Sequence, residues 1–248
     1  MKNLSFVLPL AILAITAGPV ESKPKYNPFL VPRDSILMSV KRVALRQVGG
    51  VPEDHPRRAG IVAEFDSLLS AELRSAGFEV VSSAAVDTLQ KRMRDSMGGL
   101  FDPGTGKPDT VKAQLLRRRV LDALRDEFHA DAWLHPSFDV YTAGFNGGTA
   151  TWMGASETVR PKGLLGFLGS NQVSGNVPAI ALEVVIEDMT GRNLFVDIGG
   201  LQVLEKYSLS HKFAKVPQDS LWANSRRNSD CVRLALGALT QPPKKTKR

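Results

Sequence analysis

The stretch that decides the fold is AIALEVVIEDMTGRNLFVDIGGLQVL, residues 179–204. Its two halves, Ala179 to Glu187 and Leu194 to Leu204, are rich in the aliphatic and β-branched side chains that favour strands. The connection between them, Asp188 to Asn193, contains Gly191, which can adopt the positive φ that tight turns need. The pattern therefore predicts an antiparallel β-hairpin.

Helices and further strands are predicted around this hairpin from the spacing of apolar residues. Helices are expected over Ile61 to Ala76, after Ser82-Ser83, over Thr110 to His129, and over a final segment that ends near Leu239 with Val232, Ala235, Leu236 and Leu239 inside. Strands are expected over Ile36 to Val48, Phe78 to Val81, Ala132 to Tyr141 and Thr149 to Val159. This order predicts an α+β fold, a single two-layer sandwich in which helices pack on a mixed β-sheet, with a C-terminal helix.

The composition is that of a globular protein. The chain has 248 residues, of which 43% are hydrophobic and 23% are charged, and these values exclude a disordered chain, a collagen-like repeat and a polytopic membrane protein. We predict four segments: a signal peptide at 1–22, a proline-rich linker at 23–34, a single envelope domain at 35–240 and a basic disordered tail at 241–248.

The N-terminal residues have the pattern of a secretory signal. Lys2 precedes the uncharged, largely apolar run Leu4 to Ala17, and Val20 and Ser22 form a small-x-small site that predicts cleavage after Ser22. The run is short for a membrane span, which takes about 20 apolar residues; an uncleaved anchor is the alternative. No cysteine lies near the end of the run, so we expect a periplasmic protein without a lipid tether.

The chain carries a net positive charge, and part of it lies in the C-terminal tail. The formal net charge is +7, and Lys244, Lys245, Lys247 and Arg248 follow Pro242-Pro243. Such a tail could bind an anionic lipid surface or a cell-wall polymer, or serve only solubility. We do not expect nucleic acid as a partner of an exported protein. Cys231 is the only cysteine, so no intramolecular disulfide can form, and we expect it in the core.

No established catalytic motif is present, and no cofactor is expected. The chain contains neither HExxH nor GxSxG. His129 and His135 flank Asp131, but two histidines and one aspartate without ligand spacing do not predict a metal site. Carboxylates occur on or near predicted strands at Asp139, Glu157, Glu183, Glu187 and Asp188. A glycosidase would need two of them close together; solvated strand faces are the simpler interpretation.

One loop stands out as a candidate contact. Between Gly163 and Gly175 the apolar side chains of Leu164, Leu165, Phe167 and Leu168 lie among glycines, outside any helix or strand period. We predict that this loop contacts a partner or a membrane surface. A β-connection folded onto the core is the alternative.

Three segments carry a resemblance to a known family. Together with the secretion signal, Phe65 to Val81 (FDSLLSAELRSAGFEVV), Ala130 to Val140 (ADAWLHPSFDV) and Leu182 to Arg192 (LEVVIEDMTGR) resemble the periplasmic α/β domain of the curli secretion-channel lipoproteins, a CsgG-like domain. The same fold type occurs in the TolB N-terminal domain and in lipoprotein activators of penicillin-binding proteins. The likeness covers most of residues 35–240.

The resemblance implies a Gram-negative envelope protein that acts through protein contacts. The lipobox cysteine and the long transmembrane hairpins of the channel are missing, so neither a lipid tether nor a pore is implied, and no functional residue is carried over. The leading hypothesis is a non-enzymatic periplasmic accessory protein that uses a sheet edge or the Leu164–Leu168 loop. A binder of cell-wall polymer or anionic lipid is the alternative, and a hydrolase using Asp139, Glu183 or His135 is the third.

Overall fold

The structure is a computed structural model that describes residues 26–101, 104–159, 174–207 and 213–241. Within these ranges the α-helices are α1 (Arg33–Ser39), α2 (Arg58–Ser75), α3 (Ser83–Ser96), α4 (Thr110–Phe128) and α5 (Ser225–Thr240). The strands are β1 (Arg42–Leu45), β2 (Glu79–Val81), β3 (Ala132–Asn146), β4 (Thr149–Trp152), β5 (Ala155–Thr158), β6 (Ser174–Asp188), β7 (Asn193–Val203), β8 (Glu205–Lys206) and β9 (Ala214–Lys215).

The main sheet is mixed. β1 lies parallel to both β2 and β3, whereas β3 pairs antiparallel with β4 and β6. The longest pairing joins β3 to β6, from Ala132 opposite Asp188 to Asn146 opposite Ser174. β6 and β7 form the hairpin that residues 179–204 predict, with a register shift between Ile180 and Ala181. The predicted α+β class, mixed sheet and C-terminal helix are confirmed.

Helices cover both faces of the sheet because alternate residues of the central strands are apolar on both sides. On one face Leu134 and Leu182 belong to the core that α2 and α5 complete. On the other face Ala44 and Trp133 pack with side chains of α3 and α4. The fold therefore has helices on both faces of the sheet, one layer more than the predicted two-layer sandwich.

The far end of the sheet curls into a small closed lobe. The β4–β5 hairpin reaches β7, where the Gly200 N–H donates to the Met153 carbonyl at 2.9 Å, and the Tyr207 N–H donates to the Val159 carbonyl at 2.7 Å. A side chain at position 200 would lie 2.6 Å from the Ala155 Cβ. The Gly200 position therefore lets the hairpin approach β7 closely.

Two predicted strands differ from the structure. The segment Ile36 to Val48 was expected to be one strand, but Arg33–Ser39 forms α1 and only Arg42–Leu45 is a strand. Helix α1 begins after Pro32, carries Asp34 in its first turn and buries Ile36, so local helix signals prevail over β-branched content. The segment Thr149 to Val159 is interrupted at Met153 and Gly154, both at positive φ.

Other predicted elements agree closely with the structure. Ser82 caps α3 by accepting a hydrogen bond from the Ala85 N–H. The four predicted inner residues of α5 are all buried. Residues 28–30 of the predicted linker lie along β7, with the Leu30 N–H donating to the Leu194 carbonyl and the Val196 N–H donating to the Pro28 carbonyl. The predicted signal segment 1–22 lies outside the described residues.

Candidate functional site

A cleft of about 830 Å³ lies between α5, β7 and the β4–β5 hairpin. We call it the α5 cleft. Small residues from all three elements line it, among them Gly154, Gly200 and Gly237. Charged residues also line it: Asp197 on β7 and Arg226, Arg227, Asp230 and Arg233 on α5. It therefore combines room for a chain segment with groups that can select charge.

Helix α5 lies closely against β7 at Gly199 and reaches the hairpin through Leu234, whose Cδ2 would lie 2.8 Å from a Cβ at Gly154. A Cβ at Gly199 would lie 2.2 Å from the Cys231 carbonyl oxygen, so the glycine lets α5 lie directly on the strand. The Cys231 thiol donates to the Gly199 carbonyl at 3.2 Å, and burial raises the pKa of that thiol to about 12. The expectation that Cys231 is buried is confirmed.

Asp197 is the unusual group of the cleft. It is partly buried, its carboxylate accepts a hydrogen bond from the Ile198 N–H at 2.9 Å, and no cation pairs with it among the described residues. Burial raises the pKa of Asp197 to about 6, and the hydrogen bond only partly opposes this shift. A carboxyl group without a counter-charge in a cleft is a candidate ligand-binding group.

The neighbouring Glu157 has the opposite environment. Its carboxylate receives hydrogen bonds from Lys206 at 2.6 Å, Arg227 at 2.8 Å and the Val203 N–H at 2.9 Å. Burial alone would raise the pKa of Glu157, but these three donors together lower it. This cluster attaches the N-terminal part of α5 to β5 and β7 at one end of the cleft.

The remaining charged residues of the cleft are Arg233 and Asp230, which pair with each other, and Arg226. Arg233 pairs with Asp230 at 3.1 Å on the surface of α5. Arg226, in the first turn of α5, is exposed and forms no ion pair in the part of the chain that the structure describes. The positive end of the helix dipole lies at the same end of α5.

The structure brings His135 together with Glu187 rather than with His129. The His135 imidazole lies 2.6 Å from the buried Glu187 carboxylate, which also pairs with Arg117 of α4. His129 adopts a left-handed conformation as the C-cap of α4. Asp131 instead accepts hydrogen bonds from the Lys41 and Arg42 N–H groups. Among the described residues no three side chains of metal-ligating type meet.

The other predicted carboxylates serve separate local contacts. Glu183 accepts a hydrogen bond from the Tyr141 hydroxyl at 2.8 Å, and burial together with this bond raises the pKa of the tyrosine. Asp188 accepts hydrogen bonds from Thr190 and Arg192 within the β6–β7 turn. Asp139 is exposed.

Both predicted contact segments lie outside the described residues. These are the loop residues Leu164, Leu165, Phe167 and Leu168 and the tail residues Lys244, Lys245, Lys247 and Arg248. Sequence reasoning missed Asp197. Its only signal was one acidic residue in the apolar run LFVDIGGLQVL, followed by the glycine pair that lets α5 and the hairpin approach.

No protein-family model matches the chain, and a search of curated proteins finds no match. The resemblance to the curli secretion-channel lipoproteins therefore stays a prediction. In the described part of the chain, no helix combines the length and the apolar character needed to cross a membrane.

Proposed function

We propose that this protein is an exported, non-enzymatic accessory protein of the cell envelope that holds another protein at the α5 cleft. The observation that carries the proposal is the carboxylate of Asp197, which lines the cleft and forms no ion pair with any of the described residues. An unpaired, partly desolvated charge opposes folding, and a partner that supplies the missing charge would offset this cost.

The make-up of the cleft favours binding over catalysis. Its lining contains neither histidine nor cysteine among the described residues. Among the described residues, no imidazole or second carboxyl group forms a hydrogen bond with Asp197, so this part of the chain gives it no paired acid and base for hydrolysis.

The N-terminal sequence pattern supports export. Lys2, the apolar run Leu4 to Ala17 and the site at Ser22 have the order of a cleaved secretory signal. Fractionation of cells that natively make the protein tests this directly. We expect the chain in the periplasmic fraction with Lys23 at its N-terminus; a cytoplasmic chain that retains Met1 would contradict export.

Site-specific photo-cross-linking in the same cells tests the contact. A photoreactive residue placed at Ser156 or Arg226 in the cleft is expected to give a discrete adduct with another protein. The matched control position is Val111, which is 74% exposed on α4, a helix that contributes no residue to the lining of the cleft. Adducts at Val111 equal to those at the cleft positions, or none at the cleft, would overturn the proposal.

A further inference from the structure

The chemistry of the cleft specifies what the partner must present, and this step rests on the proposed function. We propose that the α5 cleft receives an extended segment of a partner protein, with a lysine or arginine side chain against Asp197 and an acidic group near Arg226.

The two charges lie towards opposite ends of the cleft because α5 runs antiparallel to β7. Arg227 is joined through Glu157 to Val203 at the end of β7. Further along the helix, Cys231 and Ala235 lie over Gly199, earlier in the strand. Continuing in this direction, Gly237 to Gln241 line the cleft together with Asp197.

The length of the cleft suits an extended peptide. From Arg226 to Ala238 α5 advances about 18 Å, at 1.5 Å per residue. An extended chain covers that distance with about five or six residues. Glycines at positions 154, 200 and 237 line this path.

The charged residues of the cleft that have no ion pair among the described residues determine which end of the ligand should be basic and which acidic. Glu157, Arg227, Asp230 and Arg233 already have partners of opposite charge. Asp197 and Arg226 do not, in the described ranges. The helix dipole favours an anion near the start of α5. At the end of α5, the Arg33 guanidinium already donates to the Ala238, Leu239 and Gln241 carbonyls, so the call for a ligand cation rests on Asp197 alone.

Selection from a phage library of random heptapeptides against the full mature protein tests the proposal. We expect enriched peptides to share a lysine or arginine at one fixed position with an acidic residue several positions away. Asp197→Asn should abolish the preference for the basic residue, whereas the control Asp139→Asn, which removes an exposed carboxylate on β3, should preserve it. Enriched peptides without a basic residue, an unchanged preference in Asp197→Asn, or no enrichment would each overturn the proposal.

The pH dependence of peptide binding gives a second readout. Asp197 with a pKa of about 6 is mostly ionised at pH 7 and mostly protonated at pH 5. Affinity for a selected lysine peptide should therefore fall by about tenfold between these values. At the Asp197 end of the cleft, the Arg33 guanidinium of α1 donates to the carbonyls of Ala238, Leu239 and Gln241, and Tyr26 lies beside β7. The other charged lining residues, Arg226, Arg227, Asp230 and Arg233, lie further back along α5. The Asp197→Asn variant should show no such fall; an equal fall would contradict the role of Asp197.

A further variant tests whether the cleft binds a partner or the chain's own basic tail. In this variant Lys244, Lys245, Lys247 and Arg248 are changed to glutamine. If selected peptides bind this variant and the unchanged protein equally, the cleft is open to a partner. Binding only after these changes would show that the tail occupies the cleft, and would overturn the proposal. Cleft adducts in cells combined with peptides that lack a basic residue would contradict this inference alone, and leave the proposed function standing.

Discussion

Asp197 and Glu187 lie on neighbouring strands of one sheet and have opposite surroundings. The side chain of Glu187 is 1% exposed and is held between His135 and Arg117. Burial would raise the pKa of Glu187, but these two partners lower it. Asp197 is less buried, yet burial raises its pKa to about 6, and among the described residues no cation pairs with it to oppose this shift.

Asp197 differs from Glu187 mainly in that no cation pairs with it among the described residues; the degree of burial is the smaller difference between them. Glu187 joins α4 to the sheet and Glu157 joins α5 to it, so both carboxylates contribute to the fold. In the part of the chain that the structure describes, the Asp197 side chain joins no two elements; its carboxylate accepts a hydrogen bond from the N–H of the next residue, Ile198. This difference is the reason why we propose a binding role for Asp197 and a structural role for the two glutamates.

The largest expected effect is the loss of Glu187. Glu187→Ala should lower the free energy of unfolding at pH 7 by about 3 kcal/mol, since the change removes the buried partner of His135 and Arg117. Chemical denaturation measures it. The control Glu79→Ala removes an exposed ion pair with Arg42 and should change stability by less than about 1 kcal/mol. Equal effects of the two variants would contradict the structural role of Glu187.

The pH dependence of that loss has a defined sign. A carboxyl group whose pKa is lowered in the folded state stabilises the fold above its unfolded pKa. This stabilisation disappears as the pH falls through the folded pKa. The difference between the unchanged protein and Glu187→Ala should therefore shrink below about pH 4.

Asp197→Asn should act in the opposite direction. A carboxyl group with a raised folded pKa prefers to stay protonated, so the unchanged protein should lose stability as the pH rises from about 4 to about 6. The expected gain of Asp197→Asn at pH 7 is about 2 kcal/mol, with about 3 kcal/mol as the ceiling for a shift of this size. Thermal or urea unfolding at several pH values measures it. A variant less stable than the unchanged protein at pH 7 would show that Asp197 supports the fold.

The smallest expected effect is that of a substitution that narrows the cleft without altering its charge. Gly237→Ala would place a Cβ 3.2 Å from the flexible end of Gln241. Alanine is the better helix former, so stability should rise by up to about 1 kcal/mol, while a selected peptide should bind several-fold more weakly. Calorimetric titration compares the two proteins. Undiminished binding would move the contact away from the C-terminal half of α5.

Sequence patterns predicted the elements whose signals are local. The β6–β7 hairpin, the cap at Ser82 and the buried stripe of α5 all follow from spacing and residue type. The break in the predicted strand at Met153 was missed because the dipeptide Met153-Gly154 is not one of the common turn dipeptides. The cleft was missed because it depends on how α5 docks at Gly199, a contact between segments about 30 residues apart.

The most direct test is an NMR titration of the side-chain carboxyl carbons of Asp197, Glu157 and Glu187 in the mature protein. We predict a midpoint near pH 6 for Asp197 and midpoints below the ordinary glutamate value for the other two. Addition of a selected lysine peptide should lower the Asp197 midpoint and leave the Glu187 midpoint unchanged. An Asp197 midpoint at or below the ordinary aspartate value of about 4 in the free protein would show that its charge is already compensated, and would contradict the account.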